Sequence, residues 1–345
     1  MAHQSLASRI LPKPLQDDIE RQIQPHLRQR ASGDGVCSTK TARERRGHIL
    51  GTVACLWQLG YRIRKLDSLD KRHIDALMTH WEAEGLSAEF LHNRASVLRT
   101  LAGWLGKRHL VGDLSDYFPK ERTRRKTSTD EDLSCKGKGI DPIKVIAMAR
   151  TIDERLAAML AMQHAFGLRV KESIEIRPAN SVVEGGDFIE VFSGTKGGKL
   201  RRIPLTDEYQ RTTLAWVRQV AAGGKTGRLR WTDTTWRQAQ NRYYYLVRDR
   251  LRISKAQSDF TSHGFRHGYA HKGYEDRTGH PPPVVVEKGQ RKPVPPPGLD
   301  RETHERASLA VSRALGHERL SATTSYYGTY GHRFRRRGGK VTIKP

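Results

Sequence analysis

Cysteine is scarce in this chain: Cys37, Cys55 and Cys135 are the only three in 345 residues. An odd number at that spacing makes neither a disulfide framework nor a zinc site. Reduced thiols in a cytosolic compartment are therefore expected. Long apolar runs are lacking too. No stretch approaches the roughly 18 apolar residues that a spanning helix needs. The opening residues, MAHQSLASRILPKP, carry no apolar core of the signal-peptide kind. No internal repeat is visible. Acidic residues are also short: 37 Asp and Glu stand against 62 Lys and Arg, a net charge of +25. Such an excess seeks a polyanion. Nucleic acid is the expected partner. An acidic membrane is the competitor, weakened because the charge is spread along the chain and not gathered on one amphipathic segment.

The length suits two domains. Residues 1–35 read as a polar, loosely held tail with a helix around Leu15–Leu27. Residues 36–120 read as a small helical domain. There Ile49, Val53, Leu56 and Trp57 make one apolar stripe. Ser87 is placed to cap a second helix, with Leu91, Ala95, Leu98, Ala102 and Leu105 inward and Asn93, Ser96 and Thr100 outward. Residues 121–140 are charged and aperiodic, which reads as a linker. Asp141-Pro142 then starts a helix. In the larger domain, 141–345, Ile152, Leu156, Met159 and Leu160 share a face and Gly167 stops the helix. Two strands, Phe188–Phe192 and Leu200–Leu205, flank a glycine-rich turn and predict a β-hairpin. Helices follow around Glu208–Val220 and Trp236–Leu251. Residues 276–300, with two triple prolines, predict a surface loop. A last helix is expected over Arg301–Leu315, then a basic tail from 331 to 345. The fold expected is mainly α with a small β-hairpin: a helical DNA-binding domain followed by a mixed α+β domain.

Four segments of the larger domain carry residues suited to cutting a DNA strand without metal. A nucleophile must attack phosphorus, fixed cations must meet the charge that develops on the non-bridging oxygens, and the departing oxygen needs a proton. Arginine suits the oxygens because its planar fork donates twice and never loses its charge. Tyrosine can form a covalent phosphodiester that stores the bond for rejoining. The segments are AFGLRVKES with Arg169 and Glu172, TKGGKLRRIPL with Lys196, SHGFRH with His263 and Arg266, and ALGHERLSATTSYYG with His317 and Tyr326. Taken singly, each reads more readily as surface or solvated residues. Together and in this order they resemble the tyrosine recombinases, the integrase family. That family shows Gly-Leu-Arg with an acid three residues later, a hairpin lysine, His-x-x-Arg, then Leu-Gly-His and a tyrosine nine residues on. Residues 141–331 carry the motifs. The helical region fits the family's core-binding domain by position and character. The wording around Leu98-Arg99 and Trp104–Lys107 looks most like phage-type and mobile-element integrases. One departure is the long stretch between His263 and His317, lengthened by the proline-rich segment. Tyr327 is an alternative to Tyr326, and the spacing from His317 together with Gly328 favours Tyr326.

The resemblance implies roles. Tyr326 attacks the scissile phosphate, Arg169 and Arg266 clamp its oxygens, and His317 donates to them. Lys196 protonates the departing 5′-hydroxyl, His263 takes the tyrosine proton and Glu172 orients its neighbours. It implies no cofactor and no metal. It implies double-stranded recombination sites as substrate, a homo-tetramer on two such sites with a C-terminal segment exchanged, and accessory DNA-bending or directionality proteins. Arg99, Lys107, Arg201 and Arg202 are expected to touch DNA. A type IB topoisomerase and a non-catalytic DNA-binding relative are the alternatives. No membrane role is expected, and the compartment expected is the cytoplasm, at the nucleoid.

Overall fold

The computed structural model describes residues 7–30, 35–183, 185–195, 198–285 and 296–330. The chain splits into two compact units, Met1–Lys126 and Thr127–Pro345. Among the described residues no helix is long and apolar enough to cross a membrane.

The first unit is helical: α1 (Lys13–Ile23), α2 (Thr39–Gln58), α3 (Lys71–Ala83), α4 (Ala88–Trp104) and a single turn, α5 (Lys120–Thr123). Residues expected as a loose tail are instead part of its core. Leu15, Ile19 and Ile23 recur every fourth residue, so one face of α1 is apolar and buried. The Asp18 carboxylate fastens that helix by accepting from the Leu66 backbone N–H at 2.8 Å. Ser87 caps α4 by accepting from Phe90 N–H. Leu91, Ala95, Leu98 and Ala102 are buried beneath it.

The second unit contains α6 (Pro142–Ile152), α7 (Glu154–Phe166), α8 (Val170–Glu175), the hairpin β1 (Phe188–Val191) and β2 (Arg201–Pro204), then α9 (Glu208–Ala222) and α10 (Trp236–Tyr245). It ends with α11 (Lys255–Ser258), α12 (His263–Thr278), α13 (Arg301–Ala314) and α14 (Thr324–Tyr327). The apolar face predicted across Ile152 and Leu156 belongs to two helices. Asp153, extended at φ −164°, ends α6 and caps α7 by accepting from Leu156 N–H. Every residue from Leu156 to Gln163 is buried, so α7 is the central helix of the unit. The helix α12 runs three residues into the stretch expected as loop, ending at Thr278. Of that loop, residues 286–295 lie outside the described residues, as does the tail 331–345.

The stretch expected as linker divides. Its first residues form α5, while residues from Thr127 belong to the second unit. They are fastened there: the Lys138 ammonium lies 2.6 Å from both Glu131 and Asp259, and Cys135 is buried. We call residues 127–140 the strap.

Candidate active site

The site is built where α7 stops, where α12 starts and where α13 stops. Gly167 ends α7 at φ +57°, and a Cβ there would meet the Tyr269 ring at 2.6 Å, so only glycine fits. The next turn begins α8 with Arg169 as its N-cap. Glu172, three residues on, reaches back to accept from the Arg169 backbone N–H at 2.8 Å and from its Nη1 at 2.7 Å. Glu172 has no exposed surface. Burial alone would raise its pKa, yet Arg201, Arg169 and Arg266 together hold it below the ordinary carboxylate value.

Arg266 sits in the first turn of α12, fully buried. Its Nη1 donates to the Gly167 carbonyl and its Nη2 to the Leu315 carbonyl. The same Leu315 oxygen accepts from Arg169 Nη2 at 3.3 Å. That carbonyl lies at the C-terminus of α13, where helix ends leave unpaired acceptors and a partial negative charge. Gly316 makes the turn at φ +76°, and a Cβ there would press on Arg201 Cδ at 3.0 Å. The turn delivers His317, whose Nε2 lies 3.2 Å from Arg169 Nη2. A guanidinium only donates, so in this arrangement the ring accepts at Nε2. A cleft of about 270 Å³ opens here, lined by Arg169, Lys199, Arg201, Arg313 and His317 among others.

Tyr326 and Tyr327 point apart, as neighbours on a helix do. The Tyr326 hydroxyl accepts from Arg266 Nε at 3.0 Å. The Tyr327 side chain is fully buried, its ring 4.9 Å from that of Tyr274, and burial pushes its pKa up. His263, at the start of α12, has its ring 6.1 Å from that of Tyr326. Burial, aided by Arg266 and Arg169, lowers its pKa to about 4, so it is neutral near pH 7 and able to take a proton. The structure thus brings together Arg169, Glu172, His263, Arg266, His317 and Tyr326 from three of the four sequence segments. Lys196 lies outside the described residues.

Arg201 corrects one expectation. It is not a surface residue awaiting DNA: its side chain is 1% exposed and its Nη2 lies 2.9 Å from Glu172. Burial lowers its pKa to about 10. The reason is strand parity. In β2 Ile203 faces inward, and side chains alternate, so Arg201 faces inward with it and Arg202 outward. Arg202 is exposed and bonds Glu190 at 2.8 Å. Arg99 is partly exposed and donates to the Gly112 carbonyl at 2.6 Å. Lys107 donates to the carbonyls of Asp67 and Leu69, which braces its own unit. Two histidines escaped the sequence reading. His267 has its ring 4.9 Å from that of Tyr326, and His271 Nε2 lies 2.9 Å from the Tyr326 carbonyl.

Comparison with known proteins agrees with this architecture. The family described as "Phage integrase, N-terminal" matches residues 21–111, and the one described as "Integrase" matches residues 134–272. None of the curated protein sequences compared matches this chain. Among solved structures, the Tn1549 transposon integrase in complex with transposon right end DNA is similar at 14% identity, with a TM-score of 0.54 over 91% of this chain and 95% of that one. A lambda integrase tetramer bound to a Holliday junction is similar at 15% identity and TM-score 0.52, over 95% of this chain and 79% of that one. The XerH site-specific recombinase, bound to palindromic difH substrate in a post-cleavage complex, is similar at 14% identity and TM-score 0.51, over 94% and 89%. The fold and the two family matches define an integrase-type DNA recombinase. The chain belongs to the tyrosine recombinase family and is a site-specific DNA recombinase.

Proposed function

We propose that the chain cuts and rejoins DNA through a 3′-phosphotyrosyl intermediate on Tyr326. The observation that carries this is the bond from Arg266 Nε to the Tyr326 hydroxyl, with Arg169 moored on the same Leu315 carbonyl as Arg266. Three guanidiniums surround one carboxylate, which leaves a buried excess of positive charge. A phosphodiester that gains charge on attack is the group such a site favours. The Tyr326 oxygen bonds to phosphorus while His263 takes its proton. The bond from phosphorus to the 5′-oxygen breaks, and Lys196 supplies that oxygen's proton. Arg169, Arg266 and His317 hold the non-bridging oxygens, and Glu172 holds the arginines. A free 5′-hydroxyl then attacks the phosphotyrosine, which regenerates Tyr326 without ATP. No metal or other cofactor enters these steps.

Exchange between two duplexes needs several copies, and we assign the chain a homo-tetramer that exchanges its segment 331–345. The solved lambda integrase tetramer on a Holliday junction supports that reading. The role is integration and excision of a mobile element in the cytoplasm, with accessory DNA-bending or directionality proteins. Exposed Arg202 and partly exposed Arg99 are the proposed DNA contacts. The test is a nicked suicide duplex from the DNA flanking the gene. Covalent attachment lost in Tyr326→Phe, with strand exchange between two duplexes, supports the proposal. Relaxation of plain supercoiled plasmid by a monomer, without exchange, would favour a type IB topoisomerase.

A further inference from the structure

The helix that carries Tyr326 is a single turn of four residues. A helix that short does not hold itself, because nucleation costs more than one turn returns. Its placement is therefore set from outside. At its start, Thr324 Oγ1 donates to the Thr127 carbonyl at 2.8 Å, and the Thr129 N–H donates to the Thr324 carbonyl at 3.0 Å. Both partners lie in the strap. At its end, the Tyr326 carbonyl is one of the acceptors that a helix terminus leaves unpaired. His271 Nε2 meets it at 2.9 Å.

His271 is buried, and desolvation holds its pKa below the ordinary value, so near neutral pH it carries one proton. A carbonyl only accepts, so that proton sits on Nε2. Nδ1 then faces the Asp132 carboxylate of the strap at 3.6 Å. Glu275, on the same helix, is the other charged group that acts on the ring. His263, His267 and His271 are spaced by four on α12 and form one stripe. The first faces the Tyr326 ring, the second packs against that ring and the third holds its backbone.

We propose that His271 is a positioning residue for the nucleophile: its Nε2–H holds the Tyr326 carbonyl while the strap holds the other end of α14, so the phenol stays on Arg266. This rests on Tyr326 being the nucleophile. His271 touches no reacting atom. It acts through the peptide of Tyr326.

The experiment uses the full chain and a nicked duplex on which the wild type forms its covalent complex. His271→Leu keeps the bulk and removes the donor. Its single-turnover attachment should fall about tenfold or more, the loss expected when a buried hydrogen-bond acceptor goes unpaired, with DNA affinity unchanged. His271→Gln offers an amide N–H to the same carbonyl and should stay within about threefold of wild type, since the bond is kept. A duplex with sulfur replacing the bridging 5′-oxygen needs no proton on departure. It should not rescue His271→Leu, because the defect is one of placement. Thr324→Val, at the other end of α14, should show the same sulfur-insensitive loss, and it carries the test if His271→Leu does not fold. Normal attachment by His271→Leu, equal losses in the Leu and Gln variants, or rescue by sulfur would each overturn the inference. Attachment by Tyr326→Phe would overturn the reading of the nucleophile itself.

Discussion

Arg266 Nε donates to the Tyr326 hydroxyl across 3.0 Å, and the guanidinium carbon lies 5.7 Å from the centre of the tyrosine ring. A permanent cation thus rests against the oxygen proposed to attack. It stands where the charge on phosphorus will grow. Tyr326→Phe is expected to abolish covalent attachment while DNA affinity is retained. Tyr327→Phe, which removes only the hydroxyl of a buried ring packed against Tyr274, is expected to keep attachment. Attachment assayed by gel shift of a labelled nicked strand decides the point, and swapped results would move the nucleophile by one residue.

Removing either clamp should slow the chemistry more than the binding. Arg169→Ala and Arg266→Ala are each expected to cost on the order of 10²–10³ in cleavage rate, the scale of one lost transition-state donor. Near-wild-type cleavage by either variant on a suicide substrate would take that arginine out of the site.

Arg201 is expected to be felt as stability. Arg201→Met removes one ion-pair partner from buried Glu172 while Arg169 and Arg266 remain, so the loss should be smaller than the roughly 3–5 kcal/mol of a buried charge left wholly unpaired. Urea unfolding should show a lower midpoint, and the dependence of DNA affinity on salt should keep its slope. A midpoint unchanged with a shallower salt slope would return Arg201 to the DNA surface.

Acid should weaken the fold through three buried rings. His164 and His263 have pKa values near 4 and His267 near 3, each lowered from 6.5 first by burial. Their folded values lie below the unfolded one, so the unfolded chain takes up protons first as pH falls. Stability is full above about pH 6.5 and declines between there and about pH 3. Urea midpoints at pH 7.5 and pH 5 test this, and equal midpoints would contradict it.

Salt should separate the two units. With a net charge of +25 on the whole chain, affinity for DNA should fall steeply with ionic strength as counterions are released. A fragment starting at Thr127 keeps the strap and the tyrosine helix. It is expected to bind more weakly and with a shallower slope of log affinity against log salt, because linked units add their phosphate contacts. Equal slopes would assign the first unit to assembly between proteins. Cleavage by the full chain in excess EDTA should persist, and loss restored by magnesium would indicate a nuclease.

What could be read in advance was local. Ser87, Asp141-Pro142 and Gly167 act on their own neighbours, so caps and stops were visible residue by residue. The six groups of the site were visible as a pattern in chain order. Arg201 was misplaced because its charge was weighed and its parity with Ile203 was not. Asp153 broke a helix where an apolar stripe ran on, since the stripe belongs to two helices that share one core. The buried face of α1 was obscured by its polar setting. His267 and His271 show their four-residue spacing openly, but that spacing gains meaning only once α14 docks on α12. The strap has no periodicity at all. Its contacts reach from Thr127 to Thr324, and nothing within a short window of sequence could announce them.

The oxygen of Leu315 receives hydrogen bonds from both Arg169 and Arg266. The gap between the two cations is therefore registered to a single peptide plane, and Gly316 sets how that plane is tilted. Drift in one guanidinium is checked by the other through a shared anchor point. Any residue that forces Gly316 out of its left-handed turn would shift both arms at once, and genetically it would mimic the double arginine mutant.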